Sequence, residues 1–159
     1  DDQGRRFDAE GRIRDWWTEE TNERFIERSD ALVAQYDQFE PLEGHTVNGR
    51  FTLGENIGDL GGMEMAYSAW RAYVDEHYDG EAPVIDGFTG TALFLGWAQV
   101  WRSLITEDAL RAQLLGDPHS PAQYRINGVV RNLDAWYDAF GVTEEDDLYL
   151  PPEQRVRIW

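Results

Sequence analysis

Four side chains in this 159-residue chain have types and spacings that could do chemistry: Glu55 and Asp59, then His119 and Arg125. The two carboxylates are four residues apart, so a helix would carry them on one face. Paired carboxylates on a helix are ordinarily solvated surface. Here their neighbours Ile57 and Leu60 are apolar. A carboxylate at the edge of a buried face requires a cation or hydrogen-bond donors. A metal ion would satisfy Glu55, and a metal-bound imidazole would satisfy Asp59 as an outer acceptor. His119 sits in the turn Asp117-Pro118-His119-Ser120-Pro121, with Arg125 six residues on. A loop stiffened by two prolines that holds a His near an Arg could present two cationic donors to a developing oxyanion. The plainer reading of that segment is a structural turn with an exposed His. His45 and His77 fall in a polar loop and a polar helix end, and both read as surface.

These groups need elements to position them. Residues 1–14 carry turn signals at Gly4 and Gly11 and read as a loop. A helix is expected from about Thr18, with Phe25, Ser29, Leu32, Val33 and Tyr36 at helical spacing. The stretch from Pro41 to Gly54 breaks the pattern, with an Asn48-Gly49 turn pair. A second helix is expected from about Thr52 to His77, placing Glu55 and Asp59 in its opening turns. Gly58, Gly61 and Gly62 lie inside it, each costing about 0.8–1 kcal/mol relative to Ala. Three glycines so close together suggest that something packs tightly against that helix.

Residues 91–105 are apolar nearly all round and predict a helix buried in the middle of the domain. Glu107 to Leu115 reads as a short helix ended by Gly116. Ser120 before Pro121 matches an N-cap followed by Pro at the first helical position. A last helix, about Asn132 to Phe140, should stop at Gly141. No segment alternates apolar and polar residues for long, so the fold class is mainly α.

Composition narrows the partners. The net charge is −17, and all 14 basic residues are Arg. Such an acidic chain repels nucleic acid and anionic membrane, both of which need positive patches. The chain has no Cys, which excludes disulfides and thiolate zinc sites and fits a bacterial or cytoplasmic protein better than a secreted eukaryotic one. No apolar run approaches the roughly 18 residues of a membrane span, so no membrane contact is expected of this segment. There is no nucleophile elbow, phosphate loop or His-Glu-x-x-His, and the glycine spacing of GENIGDLGG is wrong for a dinucleotide fingerprint.

The segment Glu55-Asn56-Ile57-Gly58-Asp59-Leu60-Gly61-Gly62 resembles the ENIADLGG segment of the neprilysin, endothelin-converting enzyme and bacterial oligopeptidase O family of zinc metallopeptidases. FDAEGRIRDWWT at 7–18, FTLGENIGDLGG at 51–62, WAQVWR at 97–102, DPHSPAQYRING at 117–128 and the terminal RIW at 157–159 fall in the family's order. The resemblance implies that residues 1–159 are the C-terminal part of one peptidase catalytic domain, the helical C-terminal subdomain of a thermolysin-like (gluzincin) fold.

By the same resemblance, a zinc ion is the cofactor and oligopeptides are the substrate, hydrolysed by a zinc-activated water. Glu55 becomes the third zinc ligand. Asp59 becomes the residue that orients a zinc-ligating His. His119 stabilises the oxyanion, and Arg125 donates to the substrate carbonyl beside the scissile bond. The family's His-Glu-x-x-His helix would lie just upstream of Asp1. Its absence here implies that the isolated chain is inactive and needs an upstream half of the same peptidase. Val156 stands where extracellular members carry a Cys, and Gly58 replaces the usual Ala.

Two other readings compete: a non-catalytic peptide-binding or scaffold module derived from such an enzyme, and a purely structural helical bundle with an acidic face. Without its upstream half the chain should expose apolar surface around Ile57 and the 91–105 helix, favouring self-association.

Overall fold

A computed structural model describes residues 2–85 and 87–159. The described residues form six α-helices: α1 (Glu19–Tyr36), α2 (Leu53–His77), α3 (Ala92–Val100), α4 (Glu107–Gly116), α5 (Ala122–Val130) and α6 (Asp134–Phe140). Among them no strand forms. There are isolated antiparallel bridges at Phe7–Ile13, Leu42–His45 and Ile85–Phe88. The mainly α expectation is therefore met. Among the described residues, no helix is long and apolar enough to cross a membrane.

The chain divides into two compact units. The first comprises residues 1–58, 105–121 and 156–159. The second comprises residues 59–104 and 122–155. The helix α2 contributes its first turns to one and the remainder to the other.

In the first unit, the Thr18 hydroxyl accepts the Thr21 N–H and caps α1. This satisfies one of the donors that every helix start leaves unpaired. Phe25, Ser29, Leu32, Val33 and Tyr36 are buried along one stripe of α1, as their spacing predicts. Val47, Leu53, Ile57, Val156 and Ile158 complete the buried apolar set of this unit. The C-terminal segment is tied in at two points. Arg28 donates to the Ile158 carbonyl at 3.0 Å, and the Trp159 ring packs 5.9 Å from Phe25 and 6.3 Å from Trp17. Gly49 is required by close approach, because a Cβ there would run into the Val33 carbonyl.

In the second unit, Leu60, Met63, Val74, Phe94, Val129, Val130, Leu133, Tyr137 and Leu150 are buried. Arg155 ties the end of this unit's chain to α6. Its guanidinium lies 3.4 Å from the Tyr137 ring centroid and bonds Asp134 at 2.7 Å and the Leu150 carbonyl at 3.0 Å. The helix α6 ends on Gly141 in the left-handed conformation (φ 64°), as the sequence predicts.

Four expectations are corrected. The 91–105 segment is helical only over α3, and Phe94 is its one buried helical residue. Val100 is 73% exposed and Leu104 fully exposed, so the run is not a central buried helix. Ile57, expected to be exposed in the isolated chain, is buried at 2%. At Gly58 and Gly62 a Cβ would meet nothing within 4 Å, so close packing does not account for these two glycines. Ser120 is not the cap residue, because α5 starts at Ala122 and the Ser120 hydroxyl is bonded elsewhere.

Candidate functional site

The first unit brings Glu55 and His119 together. Glu55 lies in the first turn of α2, and its Oε2 is 3.0 Å from His119 Nε2. Both side chains are a little over 40% exposed, so the pair meets solvent. The other imidazole nitrogen, Nδ1, is 2.7 Å from Asp117 Oδ1, and the same oxygen accepts the His119 backbone N–H at 3.0 Å. Asp117 thus fixes ring orientation through one nitrogen and presents the other to Glu55.

The turn itself is fastened from beneath. Ser120 Oγ donates to Asn56 Oδ1 at 2.8 Å, and Asn56 Nδ2 donates to Thr52 Oγ1 at 2.9 Å. All three are buried, Ser120 and Asn56 at 1% exposure. In turn, the Thr52 hydroxyl donates to the Asn48 carbonyl at 3.1 Å. A buried chain of bonds therefore links the His119 turn to the start of the Glu55 helix. Asn56, Asp117 and Ser120 were missed as positioning groups. The only sequence signal was their place beside the two residues they hold.

The second unit brings Asp59 and Arg125 together. The Arg125 Nε and Nη2 donate to Asp59 Oδ2 and Oδ1, each at 2.6 Å, in a two-pronged pair. The side chains are 8% and 12% exposed. Such in-plane pairing fixes the guanidinium far better than a single contact would. Trp101 packs its ring under the guanidinium, with Cζ 3.9 Å from the centroid. Trp97 Nε1 donates to the Arg125 carbonyl at 3.3 Å. Next along α5, burial raises the Tyr124 phenol above its ordinary pKa of 10.0.

His119 and Arg125, read from the sequence as neighbours on one loop, belong to different units. His45, read as surface, lies 3.0 Å from Arg111 Nη1 through its Nε2. His77 is about half exposed, as expected.

The donor set can be tested against a metal. Among the described residues no three His, Cys, Asp or Glu side chains stand close enough to hold an ion. Glu55 offers a single accessible carboxylate, and tight catalytic zinc sites use three protein ligands. The described residues therefore fit one corner of a zinc site, not a whole one.

The family model for peptidase family M13 matches residues 1–156. Human endothelin-converting enzyme 1 is 39% identical over the full chain, which spans 20% of that relative. Neprilysin-1 of Caenorhabditis elegans is 37% identical, again over the full chain and 21% of the relative. Among solved structures, the inhibitor complex of Mycobacterium tuberculosis zinc metalloprotease ZMP1 superposes with a TM-score of 0.93 at 48% identity, covering the whole chain and 25% of that protein. PEPO from Lactobacillus rhamnosis superposes with a TM-score of 0.82 at 33% identity over 98% of the chain and 23% of that protein. The chain spans about a fifth of the length of the curated relatives it matches. Agreement along essentially the whole chain, in sequence and in backbone, places this protein in peptidase family M13.

Proposed function

We propose that this chain supplies one side of the active site of a zinc-dependent peptidase that hydrolyses oligopeptides, with Glu55 as a zinc ligand. The observation that carries the reading is the Glu55 carboxylate at the start of α2, accessible and 3.0 Å from His119. An accessible carboxylate beside an oriented imidazole can serve a metal ion and a developing negative charge together. Zinc, when bound, would polarise the scissile carbonyl and lower the pKa of water. The remaining ligands and the general base come from another segment of the same peptidase, and this chain alone is inactive.

The settings of the chain's own residues support a role for each. His119, steered by Asp117, donates to the oxyanion. Arg125 donates to the substrate carbonyl beside the scissile bond. Its guanidinium carries five N–H donors, and two serve Asp59 in the two-pronged pair. Asp59 holds that guanidinium and also accepts from a metal-ligating imidazole of another segment of the peptidase, since each carboxylate oxygen has two lone pairs.

The test is the zinc content of natively purified protein carrying this chain, by elemental mass spectrometry, for wild type and Glu55→Ala. About one zinc per chain in wild type and its loss in Glu55→Ala is the expected result. Retained zinc with undiminished peptide hydrolysis in Glu55→Ala would overturn the assignment.

A further inference from the structure

The WAQVWR segment at 97–102 has no part in the chemistry above, yet both its tryptophans converge on Arg125. Trp97 and Trp101 are four residues apart, and their rings meet edge-on with centroids 5.5 Å apart. On α3 the core is served by Phe94, the one buried helical residue. The two tryptophans are not packed away with it: both are only half-buried. Each makes a different contact with the same residue. The Trp101 face lies against the guanidinium, and the Trp97 N–H bonds the Arg125 main chain.

We infer that Trp97 and Trp101 are positioning residues for Arg125, an inference that rests on the substrate-binding role proposed for that arginine. The two bonds to Asp59 fix the guanidinium within its own plane, and the Trp101 ring fixes the tilt of that plane. Together they leave the charged head one orientation. The Trp97 bond anchors the Cα end of the same side chain to α3. A carbonyl oxygen has two lone pairs, so it can accept from Trp97 in addition to its helical donor.

A second observation separates this role from simple space-filling. The Trp101 Nε1–H is buried and has no hydrogen-bond partner among the described residues. A buried unpaired donor is unfavourable, and Phe would avoid it. The indole is therefore held for its face, which is larger and richer in π density than that of Phe.

The experiment follows the Arg125 Nε–H by solvent-exchange NMR in wild type, Trp101→Phe, Trp101→Leu and Trp97→Phe, with a melting curve for each. Peptide hydrolysis and zinc content of the natively purified peptidase are measured alongside. Loss of a desolvated cation–π contact should speed Arg125 Nε–H exchange in Trp101→Leu on the order of ten-fold. Trp101→Phe, which keeps a smaller aromatic face, should exchange at a rate between wild type and Trp101→Leu. Trp97→Phe keeps the ring stack and loses only the N–H. It should lower kcat/KM several-fold with zinc unchanged. Unchanged exchange in Trp101→Leu, or equal damage from Phe and Leu, would overturn the inference. If Arg125→Ala lowers kcat/KM while every tryptophan variant leaves it intact, the inference fails and the role of Arg125 stands. If Arg125→Ala has no effect, the role of Arg125 itself fails.

Discussion

Asp59 and Glu55 are one helical turn apart on α2, yet their surroundings give them opposite energetics. The Asp59–Arg125 pair is about nine-tenths buried, with both oxygens occupied. Removing one partner of such a pair leaves an uncompensated buried charge and costs about 3–5 kcal/mol. Asp59→Ala is accordingly expected to destabilise the chain by about that amount in urea denaturation. A loss below about 1 kcal/mol would show the pair to be solvated. Glu55 and His119 are both more than 40% exposed. Their contact contributes no more than about 1 kcal/mol. In the zinc-free chain Glu55→Gln should leave the denaturation midpoint nearly unchanged, and in the natively purified peptidase it should remove zinc together with the stability a bound ion adds, a separation of function from chain stability that Asp59 cannot show. Tyr124 adds a pH dependence. Its folded pKa lies above 10.0 because burial disfavours the phenolate. Its contribution to stability is complete below 10, where the unfolded chain is also protonated, and is lost as pH rises through the folded pKa. Tyr124→Phe should therefore shrink the fall in melting temperature above pH 10.

At the scale of elements, α2 carries glycines that its own structure does not require. A methyl group at Gly58 or Gly62 would meet nothing within 4 Å. Each glycine costs about 0.8–1 kcal/mol of helix propensity. Gly58→Ala and Gly62→Ala should each raise stability by about 0.5–1 kcal/mol, read from thermal unfolding by circular dichroism. A loss in either variant would mean that the position is packed in the working protein. Helix limits were legible wherever a local signal existed. The Thr18 cap and the buried stripe of α1, the extent of α2 and the glycine stop of α6 all follow from side chains within a turn of the boundary. The limits of α3 were not legible. Apolar periodicity continues to Ile105, but the helix ends at Val100 and leaves Leu104 in solvent. Hydrophobicity all round a segment reports how much apolar surface there is, not which neighbour covers it.

At the scale of the molecule, the net charge of −17 works against compaction by self-repulsion. Raising ionic strength to about 0.5 M shortens the screening length below 10 Å and should raise the melting temperature. Insensitivity to salt would show that self-repulsion costs this fold little. The exposed Val100 and Leu104 side chains of the second unit form apolar surface on a chain that spans about a fifth of its relatives. Sedimentation velocity should show concentration-dependent association of the isolated chain, weakened in Leu104→Asp. A strictly monomeric wild type would count against that.

The sequence by itself determined the helical class, most helix boundaries, the family and the residues able to do chemistry, because each depends on residue type or on spacing within a few turns. Only the tertiary structure decided the partners. Asp59 meets Arg125 across 66 positions, and Asn56 holds Ser120 across 64. Local periodicity carries no information over such separations. Of two carboxylates alike in sequence, packing alone made one the anion of a buried ion pair and the other an accessible candidate ligand.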